Sequence, residues 1–408
     1  MQVLILGNDA KTMVNFRGPL IEAMLAAGHR VTTAGSGGDE RHLGWLAARG
    51  VSYIEVPIER TGLNPLSDWK TFAAFSRLIR SMRPDLVFTY SIKPVIYGLL
   101  AARLAGVQRR TAMITGLGYA FTDAGVEGFR AGVKRRAVSF AARRAYGAAL
   151  AQANTVVFQN PDDRDVFVKL GLVGGQHLAL VNGSGVDLAH FRPAPLPDGP
   201  LTFLMIARLL RDKGVYEYVE SARLLKRVRP EVKFRLVGPF DPNPTAVKIA
   251  EVEAWVREGI IDYRGAVDDV RPEIAASHVF VLPSYREGTP RTVLEAMAMG
   301  RPIITTDVPG CRETVVHGEN GVLVAARDPA ALAGAMEELY DQAVRNRMAA
   351  AGLERVRARY DKNAVALATL AALAPPTTPG TSGAAIGGRP SFGGRIDVAP
   401  STHGPLRR

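Results

Sequence analysis

Two glutamates, Glu287 and Glu295, with seven residues between them, stand where an apolar run, Val279 to Leu282, gives way to a helical pattern. The loop between them runs Ser284-Tyr285-Arg286-Glu287-Gly288-Thr289-Pro290-Arg291. Thr289 fits an N-cap and Pro290 the first helical position, with Gly300 at the far end. Open N–H groups at such a helix start attract phosphate. One acid before them and one inside the helix match a ligand with hydroxyls on both sides of a diphosphate, as in a nucleotide sugar. Hydrolysis by the same two acids needs carboxylates about 5–9.5 Å apart. Eight residues of helix span about 12 Å, so the spacing favours two ends of one ligand over the two sides of one bond.

A second cluster is Arg208-Leu209-Leu210-Arg211-Asp212-Lys213, directly after the apolar run Leu201–Ala207. Arg offers a planar fork to phosphate oxygens and Lys a mobile point charge. Alone, the pair reads equally well as two solvated surface cations. On the sheet edge that also carries Glu287 and Glu295, it reads as a diphosphate clamp. No His/Cys/Asp cluster has metal-ligand spacing.

These residues need a scaffold that brings loops together at strand ends, and the pattern supplies one. Strands are predicted at Val3–Leu6, Arg30–Ala34, Ser52–Val56, Asp85–Thr89, Arg110–Ile114, Thr155–Phe158 and His177–Leu180. The rhythm restarts at Leu201–Ala207, Lys233–Val237, Asp262–Arg264, Val279–Leu282, Pro302–Thr306 and Gly321–Val324. Helices are predicted at Pro19–Ala27, Trp69–Met82, Val95–Ala105, Val215–Val228 and Thr292–Met299. Alternation of this kind predicts an α/β protein with two doubly wound, Rossmann-like domains and a ligand cleft at the carboxyl ends of the strands. The first domain is expected over 1–186, a linker over 187–200 and the second domain over 201–340. Helices over 341–373 are expected to return to the first domain, followed by a disordered Pro/Gly-rich tail over 374–408.

Composition sets the limits. The 408 residues are 47% apolar and carry a net charge of +12. A single cysteine, Cys311, excludes an internal disulfide and fits a reducing compartment. The start, Met1-Gln2-Val3-Leu4-Ile5-Leu6-Gly7, reads as a strand and not a signal peptide. No zinc-finger, RNP or aromatic-basic pattern accompanies the charge, so nucleic acid is not the expected partner. An anionic membrane surface and an anionic substrate both fit. The segment Phe129–Tyr146, with Arg130, Lys134, Arg135, Arg136, Arg143 and Arg144 among apolar residues, reads as a basic amphipathic helix. It could lie on an anionic leaflet or pack its apolar side inward.

Taken in order, these motifs resemble the retaining glycosyltransferases of family 4, which have the GT-B fold of two Rossmann-like domains facing across a cleft. Arg208 and Lys213 match the family's basic pair, and Glu287 and Glu295 its Glu-x7-Glu motif. Asn182-Gly183-Ser184-Gly185-Val186-Asp187, Val237-Gly238-Pro239 and Gly318-Glu319-Asn320-Gly321 match as well. The resemblance implies that Arg208 and Lys213 bind the donor's distal phosphate in place of a divalent metal, with no cofactor beyond a UDP-sugar co-substrate. It implies that Glu295 receives the ribose hydroxyls and that Glu287 contacts the transferred sugar. Thr292 and Val293 would offer N–H groups to phosphate, and the loop Gly288 to Arg291 would line the donor. Ala266 and Val267 would lie near the base. Asn182 and a loop Asn15-Phe16-Arg17-Gly18 would close on the donor from the first domain, with Gly18 nearest.

A narrower resemblance, on Phe16-Arg17-Gly18-Pro19-Leu20, Gly116-Leu117-Gly118-Tyr119 and Pro309-Gly310-Cys311-Arg312-Glu313-Thr314, is to a bacterial subset that extends undecaprenyl-diphosphate-linked glycans. It implies a lipid-linked saccharide acceptor and a peripheral position on the inner face of the cytoplasmic membrane. Acceptor-side candidates are Lys93, Gly116, Gly118 and Tyr119. Where many family members place a cleft histidine, this chain has Tyr90-Ser91-Ile92-Lys93. A sugar-nucleotide epimerase and a non-catalytic nucleotide-sugar-binding scaffold remain as alternatives.

Overall fold

The computed structural model describes residues 1–59, 64–116, 143–243 and 245–373. The first half carries β1 (Gln2–Asp9), α1 (Ala10–Ala26), β2 (Arg30–Ser36), α2 (Glu40–Ala47), β3 (Ser52–Glu55), α3 (Pro65–Met82), β4 (Leu86–Tyr90), α4 (Ile92–Leu104), β5 (Arg109–Ile114), β6 (Thr155–Phe158), α5 (Pro161–Lys169) and β7 (His177–Leu180). The second carries β8 (Thr202–Ile206), α6 (Val215–Val228), β9 (Lys233–Val237), α7 (Ile249–Arg257), β10 (Asp262–Tyr263), α8 (Arg271–Ala275), β11 (Val279–Leu282), α9 (Arg291–Ala298), β12 (Ile303–Thr306), β13 (Gly321–Val324), α10 (Pro329–Glu338), α11 (Gln342–Arg359) and α12 (Lys362–Ala372).

Two parallel sheets result, ordered β3-β2-β1-β4-β5-β6-β7 and β10-β9-β8-β11-β12-β13. The order reverses beside β1 in one and β8 in the other, so each has its switch point at a first strand. Burial on both faces explains the apolar runs. In β1, Val3 and Ile5 join a cluster with Met13, Ile21 and Met24 of α1. Leu4 and Leu6 join one with Phe75 and Ile79 of α3 on the other face.

The start of α1 corrects the sequence reading. Asp9 accepts from Thr12 N at 2.7 Å and caps the helix there. Pro19 lies inside the helix and not at its start. Asn15, Phe16, Arg17 and Gly18 are therefore helical and not a loop, and Gly18 packs against Trp45 of α2.

The two halves share a double crossing. Val186 N donates to Tyr360 O at 2.8 Å, and Lys362 N returns to Val186 O at 3.0 Å. Lys362 Nζ pairs with Asp187 at 2.6 Å. Gly183 and Gly185 both sit at positive φ, 68° and 69°, where the chain turns. Beyond the crossing, Leu370 and Leu373 join the Met13 cluster on α1. No helix among the described residues is long and apolar enough to cross a membrane.

Candidate functional site

The Lys213 loop and the Glu287 loop are joined by backbone. After β8 the chain passes Arg208 and makes a short 3-10 turn, Arg211–Lys213. Gly214 follows at φ 76°, pressed against the carbonyl of Pro283, where a side chain would collide. Asp212 O then accepts from Tyr285 N at 2.9 Å and lies 3.1 Å from Ser284 Oγ. The outcome is that Lys213 Nζ lies 2.5 Å from Glu287 Oε1, and Ser284 Oγ donates to the same oxygen at 2.8 Å. Lys213 and Glu287 are brought together as the sequence suggested. Ser284 was missed, although its place two residues after β11 was a signal.

Arg208 is placed differently from Lys213. Its guanidinium pairs at 2.8 Å with Asp241, beyond β9, and its side chain is 55% exposed. The same rim holds Gly238, at φ 148° against the carbonyl of Ala207, and Gly238 N donates to Gly265 O at 2.8 Å. Ala266 is exposed beside this rim, while Val267 packs on the second core.

The helix start needs a correction of one residue. α9 begins at Arg291 with Pro290 in the capping position and no side-chain cap. Thr289 does not cap it, because its hydroxyl donates to Gln159 O of the first half at 3.3 Å. Thr292 and Val293 thus sit in a first turn without a side-chain acceptor, which leaves the dipole's positive end open to an anion. Glu295 is only 7% exposed and Arg291 Nε lies 2.9 Å from its Oε1. Burial pushes the Glu295 carboxyl above the usual carboxylate range, and Arg291 opposes that shift. Gly300 ends the helix at φ 79°.

The first half meets this loop mainly with backbone. Gly288 lies on the carbonyl of Thr115, with no room for a side chain, and Gly116, at φ 134°, faces Gly288. Asn160 Nδ2 donates to Gly288 O at 2.9 Å, and Arg286 pairs with the fully buried Asp163. Sequence reasoning missed both partners. Asn160 before Pro161 is a helix-cap signature, since Asn160 Oδ1 accepts from Asp163 N at 2.7 Å, but nothing local tells that its amide reaches the other half.

Other candidates lie elsewhere. Lys93 sits in the first turn of α4 and pairs at 2.8 Å with Asp68 of α3. Asn182 donates to Arg359 O at 3.0 Å in the double crossing, so its amide serves the link between halves. His278 Nδ1 accepts from Thr202 N at 3.1 Å and is structural. Gly118, Tyr119, Arg130, Lys134, Arg135 and Arg136 lie outside the described residues, whereas Arg143 and Arg144 are helical. Among the described residues no group of three or more His, Cys, Asp or Glu side chains is placed to hold a metal ion.

Known proteins resemble this chain in sequence and in fold. Residues 13–183 match the Glycosyl transferase 4-like domain, and residues 200–342 match Glycosyl transferases group 1. The chain is 27% identical over 379 residues to the N,N'-diacetylbacillosaminyl-diphospho-undecaprenol alpha-1,3-N-acetylgalactosaminyltransferase of Campylobacter jejuni, covering 90% of this chain and 96% of that one. It is 26% identical to the UDP-Gal:alpha-D-GlcNAc-diphosphoundecaprenol alpha-1,3-galactosyltransferase of Escherichia coli, covering 72% and 76%. Among solved structures, sucrose-phosphate synthase from Thermosynechococcus elongatus superposes with a TM-score of 0.72 at 22% identity, covering 91% and 98%. Anabaena HepE in complex with UDP gives 0.70 at 17%, covering 91% and 99%. With a 4-like first half and a group 1 second half on two Rossmann-like sheets, the chain belongs to the GT-B glycosyltransferases of this domain pair.

Proposed function

We propose that this chain moves a hexose or N-acetylhexosamine from a UDP-sugar to a saccharide carried on a polyprenyl diphosphate, with retention at the anomeric carbon, during polysaccharide or glycan biosynthesis. One observation carries the reading: Lys213 and Ser284 converge on Glu287 beside the uncapped start of α9, facing Gly116 of the first half. Breaking the anomeric C–O bond builds negative charge on the departing diphosphate. Lys213 and the N–H groups of Thr292 and Val293 are held positive groups for that charge, with Arg208 an exposed cation on the adjoining rim that must leave Asp241 to join them, and they stabilise the transition state more than the ground state. Glu287 holds sugar hydroxyls and Glu295 the ribose. Ala266 and Val267 form the rim for the base.

The acceptor class is supported by the two undecaprenol-linked relatives, whose names both specify alpha linkages. A lipid-linked acceptor places the enzyme at the inner face of the cytoplasmic membrane. The basic residues Arg130, Lys134, Arg135, Arg136, Arg143 and Arg144 are the proposed contacts to anionic headgroups.

The test is the Arg208→Ala/Lys213→Ala double variant, assayed with UDP-sugars and a polyprenyl-diphosphate saccharide. Turnover should fall by about 10²–10³-fold or more while the melting temperature holds. Unchanged turnover would overturn the assignment. Isomerised UDP-sugar in reactions lacking acceptor would replace it with an epimerase.

A further inference from the structure

Helix α1 contains a proline in its interior, Pro19. Proline has no N–H, so the carbonyl four residues earlier, that of Asn15, has no helical donor, and the ring pushes that carbonyl outward. It is not left unpaired. Arg291 Nη1, from the other half, donates to Asn15 O at 2.5 Å. The same guanidinium lies 5.4 Å from the centre of the Phe16 ring and places Nε 2.9 Å from Glu295 Oε1. Arg291 is the first residue of α9, the helix whose start faces the proposed diphosphate.

We propose that Arg291 and the proline-freed carbonyl of Asn15 form a latch that closes the donor helix on α1 and holds the Glu295 carboxylate in position for the nucleotide. The proposal rests on the reading of Glu295 as a donor contact. It makes Arg291, Asn15 and Pro19 positioning residues. Arginine is required by the geometry, because one planar fork must reach a carbonyl with Nη1 and a carboxylate with Nε. Lysine keeps the charge but lacks the rigid planar fork that fixes both contacts at once. Proline is required because any other residue at 19 supplies an N–H that competes for the carbonyl.

Two variants attack the same bond from opposite sides. Pro19→Ala gives α1 back its hydrogen bond and turns the Asn15 carbonyl along the helix axis, while Arg291→Lys leaves α1 untouched. UDP affinity by calorimetry, donor KM and melting temperature are measured for each variant and for the double variant. A charge-assisted hydrogen bond corresponds to about 10–100-fold in affinity. Each single variant should therefore weaken UDP binding and raise donor KM by roughly 10-fold or more. The double variant should be no worse than the poorer single one, because one bond cannot be lost twice. Pro19→Ala should also raise the melting temperature, since it removes a helix-interior proline. Stability and donor affinity thus move in opposite directions, which a purely structural role would not produce. Pro19→Ala with wild-type UDP affinity, or losses that multiply in the double variant, would overturn the latch. Arg291→Lys keeps the question open to test if α1 tolerates no change at Pro19, and wild-type affinity in that variant is equally fatal. Absence of UDP binding by the wild-type chain would instead strike the proposed function.

Discussion

The carboxyl edges of the two sheets face each other with different materials. The second presents charged side chains: Lys213 on Glu287, Arg291 on Glu295, Arg208 on Asp241. The first presents carbonyls, those of Asn15, Thr115 and Gln159, together with Gly116. Charged groups can respond to a reacting diphosphate, whereas carbonyls held by a sheet or helix can only fix where those charged groups stand. Under the proposed function this division gives chemistry to one half and placement to the other. The neighbouring acids Asp163 and Asp162 are exceptions that sharpen it, crossing from the first half to Arg286, the neighbour of Glu287, and to Arg312.

The largest expected effect comes from the first of those exceptions. Asp163 is fully buried, accepts from Arg286 and Asn160, and lies at the start of α5. Asp163→Ala leaves the Arg286 guanidinium without its carboxylate and takes one of two acceptors from the Asn160 amide, and removing one member of a buried pair costs about 3–5 kcal/mol. Urea unfolding should show a loss of that size. A loss below about 1 kcal/mol, the worth of an exposed pair, would mean that the Arg286–Asp163 pair does not hold the two halves together.

A smaller effect separates two glycines at the meeting point. Gly288→Ala drives a methyl into the Thr115 carbonyl and to within 2.9 Å of Gln159 Oε1. The edges must move apart, and Glu287 moves with them. Misplacing a reacting group by about 1 Å costs about 10²-fold in rate, so kcat should fall by roughly that factor. Gly116→Ala meets nothing closer than Gly288 N at 3.8 Å. Its cost is the backbone at φ 134°, about 1–2 kcal/mol of stability. If Gly116→Ala proved the more damaging to kcat, the placement role would lie in conformation and not in the fit between edges.

The same contrast explains what the sequence could reveal. Central strands were legible because strands buried on both faces must be apolar runs, as Val279–Leu282 and Thr155–Phe158 are, whereas the edge strands β3, β7 and β10 were legible from the alternating rhythm around them. Lys213 and Glu287 were legible because their chemistry is written in their residue types. The carbonyl of Asn15 was not, since every residue has one. Pro19 misled because proline is favoured in a first helical turn, and the Asp9 cap ten residues earlier was the decisive signal. Arg286 with Asp163 and Arg208 with Asp241 were hidden for another reason. Their partners lie 123 and 33 residues away, and only the folded sheets bring them together.

The smallest expected effect tests whether charge on the second edge is used as charge. Glu295 holds its proton to a higher pH than an ordinary carboxyl because it is buried, with Arg291 pulling the other way. Only the carboxylate accepts strong hydrogen bonds from ribose hydroxyls. UDP affinity should therefore fall as pH drops through a range above that of an ordinary glutamate. Stability should run in the opposite direction. The folded chain keeps a proton that the unfolded chain releases, so this residue's contribution is fully present below the unfolded pKa and is lost as pH rises through the folded one. Glu295→Gln should cost about 10-fold in UDP affinity at neutral pH and remove both trends, with the two proteins converging in affinity under acid conditions where wild-type Glu295 is neutral. Calorimetric titration with UDP across pH, paired with unfolding curves in the same buffers, reads both limbs. An affinity that is flat with pH in the wild type would make Glu295 a neutral hydrogen-bonding group, and the second edge would then differ from the first by one charged acid fewer.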